Sequence, residues 1–258
     1  MEFEAEYHYD RAMSLAEEDK VDLAISEFKK AIELNPDNAD AHGLLGALYA
    51  EKGLYEDAIR HCEEALRLEP NDAPVHYGLG LVYNDKGLYS LAIREYEEAI
   101  RLEPDIAEVH FALGSAYLKV GQYDKVLREF EETTRLEPGN AVAHMWLGLE
   151  YGRRGQHSIA IKHCEEAVIL EPYSAENYAA LGLVYSNKGM YDEAIKQYET
   201  ALLLEPDDAD FHYGLAEAYA GKGLNDQAIE HARKAVEIQP NDKDYRKFLD
   251  VLLADGRG

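Results

Sequence analysis

The sequence predicts an all-α fold, a solenoid of repeated helix-turn-helix units, and three observations carry that prediction. Seven prolines, Pro36, Pro70, Pro104, Pro138, Pro172, Pro206 and Pro240, stand 34 residues apart without exception. Each interval holds two segments of about 13 residues whose apolar positions recur at helical spacing. Between the two segments most intervals place a glycine after a lysine, as in Lys52-Gly53 and Lys188-Gly189. Cutting at this period gives seven ungapped units, 5–38, 39–72, 73–106, 107–140, 141–174, 175–208 and 209–242, with residues 243–258 left as a C-terminal helix and tail.

Each element has a local reason. A first helix ends at the glycine, which accepts a left-handed backbone, and the lysine before it suits the negative end of the helix dipole. The second helix opens a few residues later, near Glu56 in the second unit, and closes at the Leu-Glu-Pro that ends most intervals. Proline there removes an amide donor and restricts the residue before it. A short capping residue follows, Asn38, Asp72, Asn140, Ser174, Asp208 or Asp242, placed to open the next helix; Ile106 breaks the rule. Small residues such as Gly46 and Ala58 let the two helices of a hairpin approach closely, and Leu45 and Tyr49 fill the space around the contact. A single hairpin cannot bury its apolar face, so neighbours must stack. The first unit departs from the pattern, with Ala12, Leu15 and Asp19 where most others carry Gly, Tyr and Gly. Beyond Pro240, Tyr245, Phe248, Leu249 and Leu252 share one helical stripe with charges opposite, which predicts a helix capping the last hairpin.

The positions His42, Leu45-Gly46, Tyr49, Gly53, Ala58, Cys62, Ala65 and Pro70, repeated as His76, Leu79-Gly80, Tyr83, Gly87, Ala92, Tyr96, Ala99 and Pro104, resemble the tetratricopeptide repeat. The resemblance covers seven of seven units. It implies a right-handed α-solenoid whose first helices line a concave groove that takes extended or helical peptides.

Composition narrows the partners. The 258 residues carry 26 Lys and Arg against 51 Asp and Glu, a formal charge of −25, with 47% hydrophobic residues. That acidic excess repels the nucleic-acid backbone and anionic membrane surfaces, leaving protein or peptide partners of apolar and basic character. No stretch approaches the roughly 18 apolar residues that span a bilayer, so membrane insertion is not expected. The N-terminus lacks the basic and apolar regions of a secretory signal, and two cysteines make no disulfide framework; a cytoplasmic location is expected.

Two stretches look chemical: His61-Cys62-Glu63-Glu64 and His163-Cys164-Glu165-Glu166. Cys62 and Cys164, however, fall in one column with Phe28, Tyr96, Phe130, Tyr198 and Ala232, the large buried position of the second helix. Cysteine there acts as a small hydrophobe. With helices about 10 Å apart, three repeats separate the two cysteines far beyond a shared metal or disulfide. His61 and His163 share a column with Glu27, Glu95, Glu129, Gln197 and His231, which reads as a polar surface position. His8, His42, His76, His110, His144 and His212 form a second column, read as half-buried packing between hairpins. No phosphate loop, nucleophile elbow or zinc-helix motif occurs, so neither enzyme chemistry, nor a cofactor, nor a metal is expected.

Carried over by column, the resemblance places groove positions at Tyr9, Tyr77, Phe111, Met145 and Tyr213, with Leu44 and Trp146 in a second row and Leu81 and Leu149 in a third. Lys119 and Arg153, near the ends of their first helices, make a basic spot suited either to a partner's carboxylate or to the helix dipole. The columns that hold a carboxylate clamp or an asparagine ladder in some members of the family carry neither here. The expected function is a non-enzymatic scaffold binding a peptide or helix of a partner. The alternative is self-assembly into a homo-oligomer through groove or end-to-end contacts.

Overall fold

Helix ends sit where the punctuation residues put them. In the computed structural model, which describes residues 2–255, all regular structure among the described residues is helical. Up to Glu132 the chain forms one compact unit, and from Thr133 a second. The first contains α1 (Glu2–Glu17), α2 (Val21–Leu34), α3 (Ala39–Glu51), α4 (Tyr55–Leu68), α5 (Ala73–Asp85), α6 (Tyr89–Leu102), α7 (Ala107–Lys119) and most of α8 (Tyr123–Leu136). The second contains the end of α8, then α9 (Ala141–Arg153), α10 (His157–Leu170), α11 (Ala175–Asn187), α12 (Tyr191–Leu204), α13 (Ala209–Gly221), α14 (Asn225–Ile238) and α15 (Lys243–Asp255).

Within the first unit α1 packs on α2, α3 on α4 and α5 on α6, and each second helix leans on the next first helix. The second unit repeats this with α9 on α10, α11 on α12 and α13 on α14, and α15 closes against α14. Second helices bury one stripe: in α4 it is Ala58, His61, Cys62 and Ala65, at the spacing of one helical face. First helices bury more of their circumference, as in α3 with Ala39, Ala41, His42, Leu45, Gly46 and Tyr49. They are packed from both sides.

The caps behave as their chemistry demands. Asn38, Asp72, Asn140, Ser174 and Asp208 each accept a hydrogen bond from the amide three residues on, whereas Ile106 offers α7 no side-chain cap. Gly53 leaves α3 at φ 71°, and Asp19 takes the same left-handed turn at φ 58° where the other units use glycine. Close approach explains Gly46: a Cβ there would lie 2.5 Å from the Cys62 sulfur. On α15, Tyr245 and Leu252 are buried, with Phe248 and Leu249 packed beside the alanines of α13 and α14.

Candidate functional site

The histidine and glutamate columns meet inside each hairpin. His76 Nδ1 lies 2.8 Å from a Glu95 carboxylate oxygen, and its Nε2 donates to the Pro70 carbonyl at 3.1 Å. His110 is held the same way, by Glu129 at 2.7 Å and Pro104 at 2.9 Å. His8 meets Glu27. Where the second helix carries histidine, the pair becomes His42–His61, His144–His163 or His212–His231, each with Nδ1 atoms 3.0 Å apart. The expectation of a polar surface column is therefore wrong: Glu27, His61, Glu95 and Glu129 are all buried. Nineteen residues on from the first-helix histidine, the chain has turned back and faces it.

The two kinds of pair differ in protonation. A carbonyl only accepts, so Nε2 of His42 carries a proton, and one Nδ1 of the His42–His61 pair donates to the other. Burial, then Arg60, then His42, drive the His61 pKa down from 6.5 to about 4. For His110 burial opposes the charged form, but the bonds to Glu129 and Pro104 outweigh it and the pKa rises. These contacts clip the hairpin together and tie it to the preceding proline turn. The cysteines are core: both are buried, and desolvation pushes each thiol up to about 12.

The feature with the shape of a binding site lies in the first unit. A groove of about 730 Å³ crosses α1, α3 and α5 and is lined mainly by apolar groups. Of the predicted residues it brings together Tyr9, Leu44 and Leu81. Tyr77 and Phe111 are half-buried with their rings against Tyr96 and Phe130, at centroid distances of 5.9 and 5.7 Å. Tyr9 also leans on its second helix, 5.7 Å from Phe28. Lys119 is exposed at the end of α7.

Sequence reasoning missed the small residues that make the hollow. Gly43, Ala47 and Gly78 line it, and Gly78 has no neighbour within 4 Å of where a Cβ would stand. Their columns were the available signal: they hold Tyr9 and Tyr77, Met13 and Leu81, and Leu44 in the other repeats, so a glycine or alanine there leaves space for a guest. Carboxylates border the groove: Asp40 and Asp72 on one side, Glu51 and Asp85 at the far ends of α3 and α5.

The predicted residues of the second unit do not form one cavity. Met145 and Leu149 pack against the cluster around Ala160, Cys164 and Leu181, while Trp146 is half-buried. Tyr213 lines a smaller recess of about 520 Å³, its ring packed on Tyr245 and Phe248. Arg153 is not left open for a partner's carboxylate: it and Arg154 both bind the buried Glu150, each at 2.8 Å.

With hairpin, cap and glycine geometry in place, comparison with known proteins decides the family. A family model described as the cilia and flagella-associated protein 70 C-terminal domain, built of tetratricopeptide repeats, matches residues 9–257. The chain belongs to this tetratricopeptide-repeat family. No curated protein matches it. Among solved structures, the APC/C Cut9–Hcn1 complex aligns at 22% identity and TM-score 0.65 over 90% of this chain, which spans 48% of that one. A tetratricopeptide repeat protein from Parabacteroides merdae aligns at 15% identity and TM-score 0.64, covering 97% of this chain and 99% of its own. YrrB, described as a TPR protein with an unusual peptide-binding site, aligns at 24% identity and TM-score 0.51 over 85% of this chain and 96% of its own. These likenesses establish the repeat fold.

Proposed function

We propose that this tetratricopeptide-repeat chain is a non-enzymatic interaction scaffold that binds a peptide or helix of a partner protein in the hollow formed by successive first helices. The observation that carries the reading is the apolar groove across α1, α3 and α5. An apolar hollow with a few convergent polar groups is the default place for a guest. YrrB's peptide-binding site on a similar fold supports it. So does the −25 charge, which disfavours nucleic acid and selects apolar, basic protein partners. No helix among the described residues is long and apolar enough to cross a membrane. Free, buried cysteines fit a reducing compartment, and the cytoplasm is the location in this reading.

Tyr9, Leu44 and Leu81 make the apolar contacts in this proposal, with Tyr77 and Phe111 continuing the row along the same unit. Met145, Trp146, Leu149 and Tyr213 form a separate contact surface in the second unit. Lys119 and Arg153 flank helix C-termini, where dipole pairing is their first role. Photo-crosslinking tests the reading: a crosslinker at Ala47, inside the groove, should capture partner peptides that one at Ser90, exposed on α6, does not. Equal capture at both positions would overturn the groove as the binding surface.

A second reading, self-assembly, has one observation of its own. Ile169, Tyr173 and Leu203 are 70%, 86% and 81% exposed in the second unit. In the first unit the column shared by Ile169 and Leu203 holds Glu33, Arg67 and Arg101, the two arginines each paired with a glutamate one turn back. Three large apolar side chains in water are material for a protein contact. The acidic charge of every copy opposes a homotypic one. Mass measured over a hundredfold concentration range separates the two, since a constant monomer mass removes self-assembly.

A further inference from the structure

Each of the three helices that form the groove ends on an acid: α1 on Glu17, α3 on Glu51 and α5 on Asp85. A carboxylate at a helix C-terminus faces the negative end of the dipole and destabilises the helix. The next helix in the series, α7, ends on Lys119, and α9 ends on Arg153, the sign the dipole favours. Among the described residues Glu17, Glu51 and Asp85 form no ion pair. The lysines that follow, Lys52 and Lys86, are turned away to Asp22 and Glu56 on second helices. Glu51 and Asp85 thus keep an unfavourable, unneutralised charge along one edge of an apolar groove, with Asp40 and Asp72 on the opposite lip. Glu17 stands at the same position of the repeat one helix earlier, one turn beyond the groove residue Met13.

Resting on the proposed groove function, we infer that the guest is an extended segment of a partner protein with a lysine or arginine at every third residue and apolar side chains between. The spacing follows from the rail. Neighbouring helices stand about 8–10 Å apart. An extended chain in the polyproline II conformation, with three residues per turn at about 3.1 Å each, advances about 9 Å in three residues and returns the same face to the rail. Cations at positions i, i+3 and i+6 therefore reach Glu17, Glu51 and Asp85 in turn, while the intervening apolar groups meet Met13, Leu44 and Leu81. A helix would match the same rail only with cations seven residues apart, since it rises about 1.5 Å per residue.

Fluorescence anisotropy with labelled synthetic peptides tests this. The probe is a nonapeptide with Lys at positions 1, 4 and 7 and Leu or Val between. Controls are a permuted peptide with the three lysines adjacent, a Glu-for-Lys version, and a helix-stabilised peptide with lysines seven apart. The spaced peptide should bind at least tenfold tighter than any control. The Glu17→Gln, Glu51→Gln, Asp85→Asn triple variant should weaken it at least tenfold while raising the urea midpoint, because the dipole conflict is relieved. Gly78→Met should abolish binding without lowering the midpoint, since its side chain enters open space. Equal binding by wild type and the triple variant, or preference for the permuted, acidic or helical peptide, overturns the inference. If the spaced peptide fails while Ala47 still crosslinks to a partner, the charge-spaced guest is wrong and the groove reading stands.

Discussion

Single residues decide more here by their partner nineteen positions away than by their own type. His61 shows this. Buried against His42, it titrates near 4 in the folded chain against 6.5 ordinarily. The unfolded chain binds more protons between those values, so stability falls as pH drops from 6.5 towards 4 and is unaffected above. The loss is at most about 3 kcal/mol. His61→Glu installs the carboxylate that Glu95 presents to His76, and should remove most of that loss in urea midpoints measured from pH 7 to 4.5. Ile106, the helix start without a side-chain cap, gives a second case. Ile106→Asp should gain about 1 kcal/mol, as a restored cap does elsewhere. An unchanged urea midpoint would show that another group already satisfies the first turn of α7. The caps, the glycine turns and the cysteine slots were legible in the sequence because they act through their immediate neighbours or a fixed column. The histidine–glutamate clip was not, because a polar residue on a second helix looks solvated until the opposing helix is in place.

Whole elements were legible because their boundaries rest on local chemistry, seven prolines and six glycine turns at one period. Which faces stay open was less so. Tyr77 and Phe111 looked like groove aromatics, yet each spends one face of its ring on its own second helix. The small residues Gly43, Ala47 and Gly78, which shape the hollow, carry no signal of chemistry at all. Close helix approach gives a prediction at this scale. Gly80 faces the buried ring of Tyr96, so Gly80→Ala should cost about 1–3 kcal/mol, whereas Gly78→Ala should stabilise. Equal effects would contradict the packing described. The α15 cap supplies another: truncation before Lys243 uncovers Ala209, Ala216 and Ala232. Amide exchange of α13 and α14 should then rise well before that of α9 and α10. Uniform exchange along the second unit would deny α15 a capping role.

At the scale of the molecule, charge sets two responses of opposite sign. With a formal charge of −25 the folded chain repels itself, so stability should rise as salt increases from about 0.02 to 0.3 M. Affinity for a basic guest should fall over the same range, because salt screens the attraction between the exposed carboxylates and the guest's cations. Both trends are read from one set of titrations, unfolding and binding at matched salt. Parallel trends would remove electrostatics from the account of binding. The acids of the rail belong to both effects: they weaken their helices and, in this account, select the partner.

The most direct measurement is an NMR titration of isotopically labelled protein with the lysine-spaced nonapeptide. The account predicts shifts concentrated on Met13, Leu44, Ala47, Gly78 and Leu81, with the carboxylates of Glu51 and Asp85 moving together with them. Shifts centred on Ile169, Tyr173 and Leu203, or spread evenly over second-helix surfaces, would contradict it.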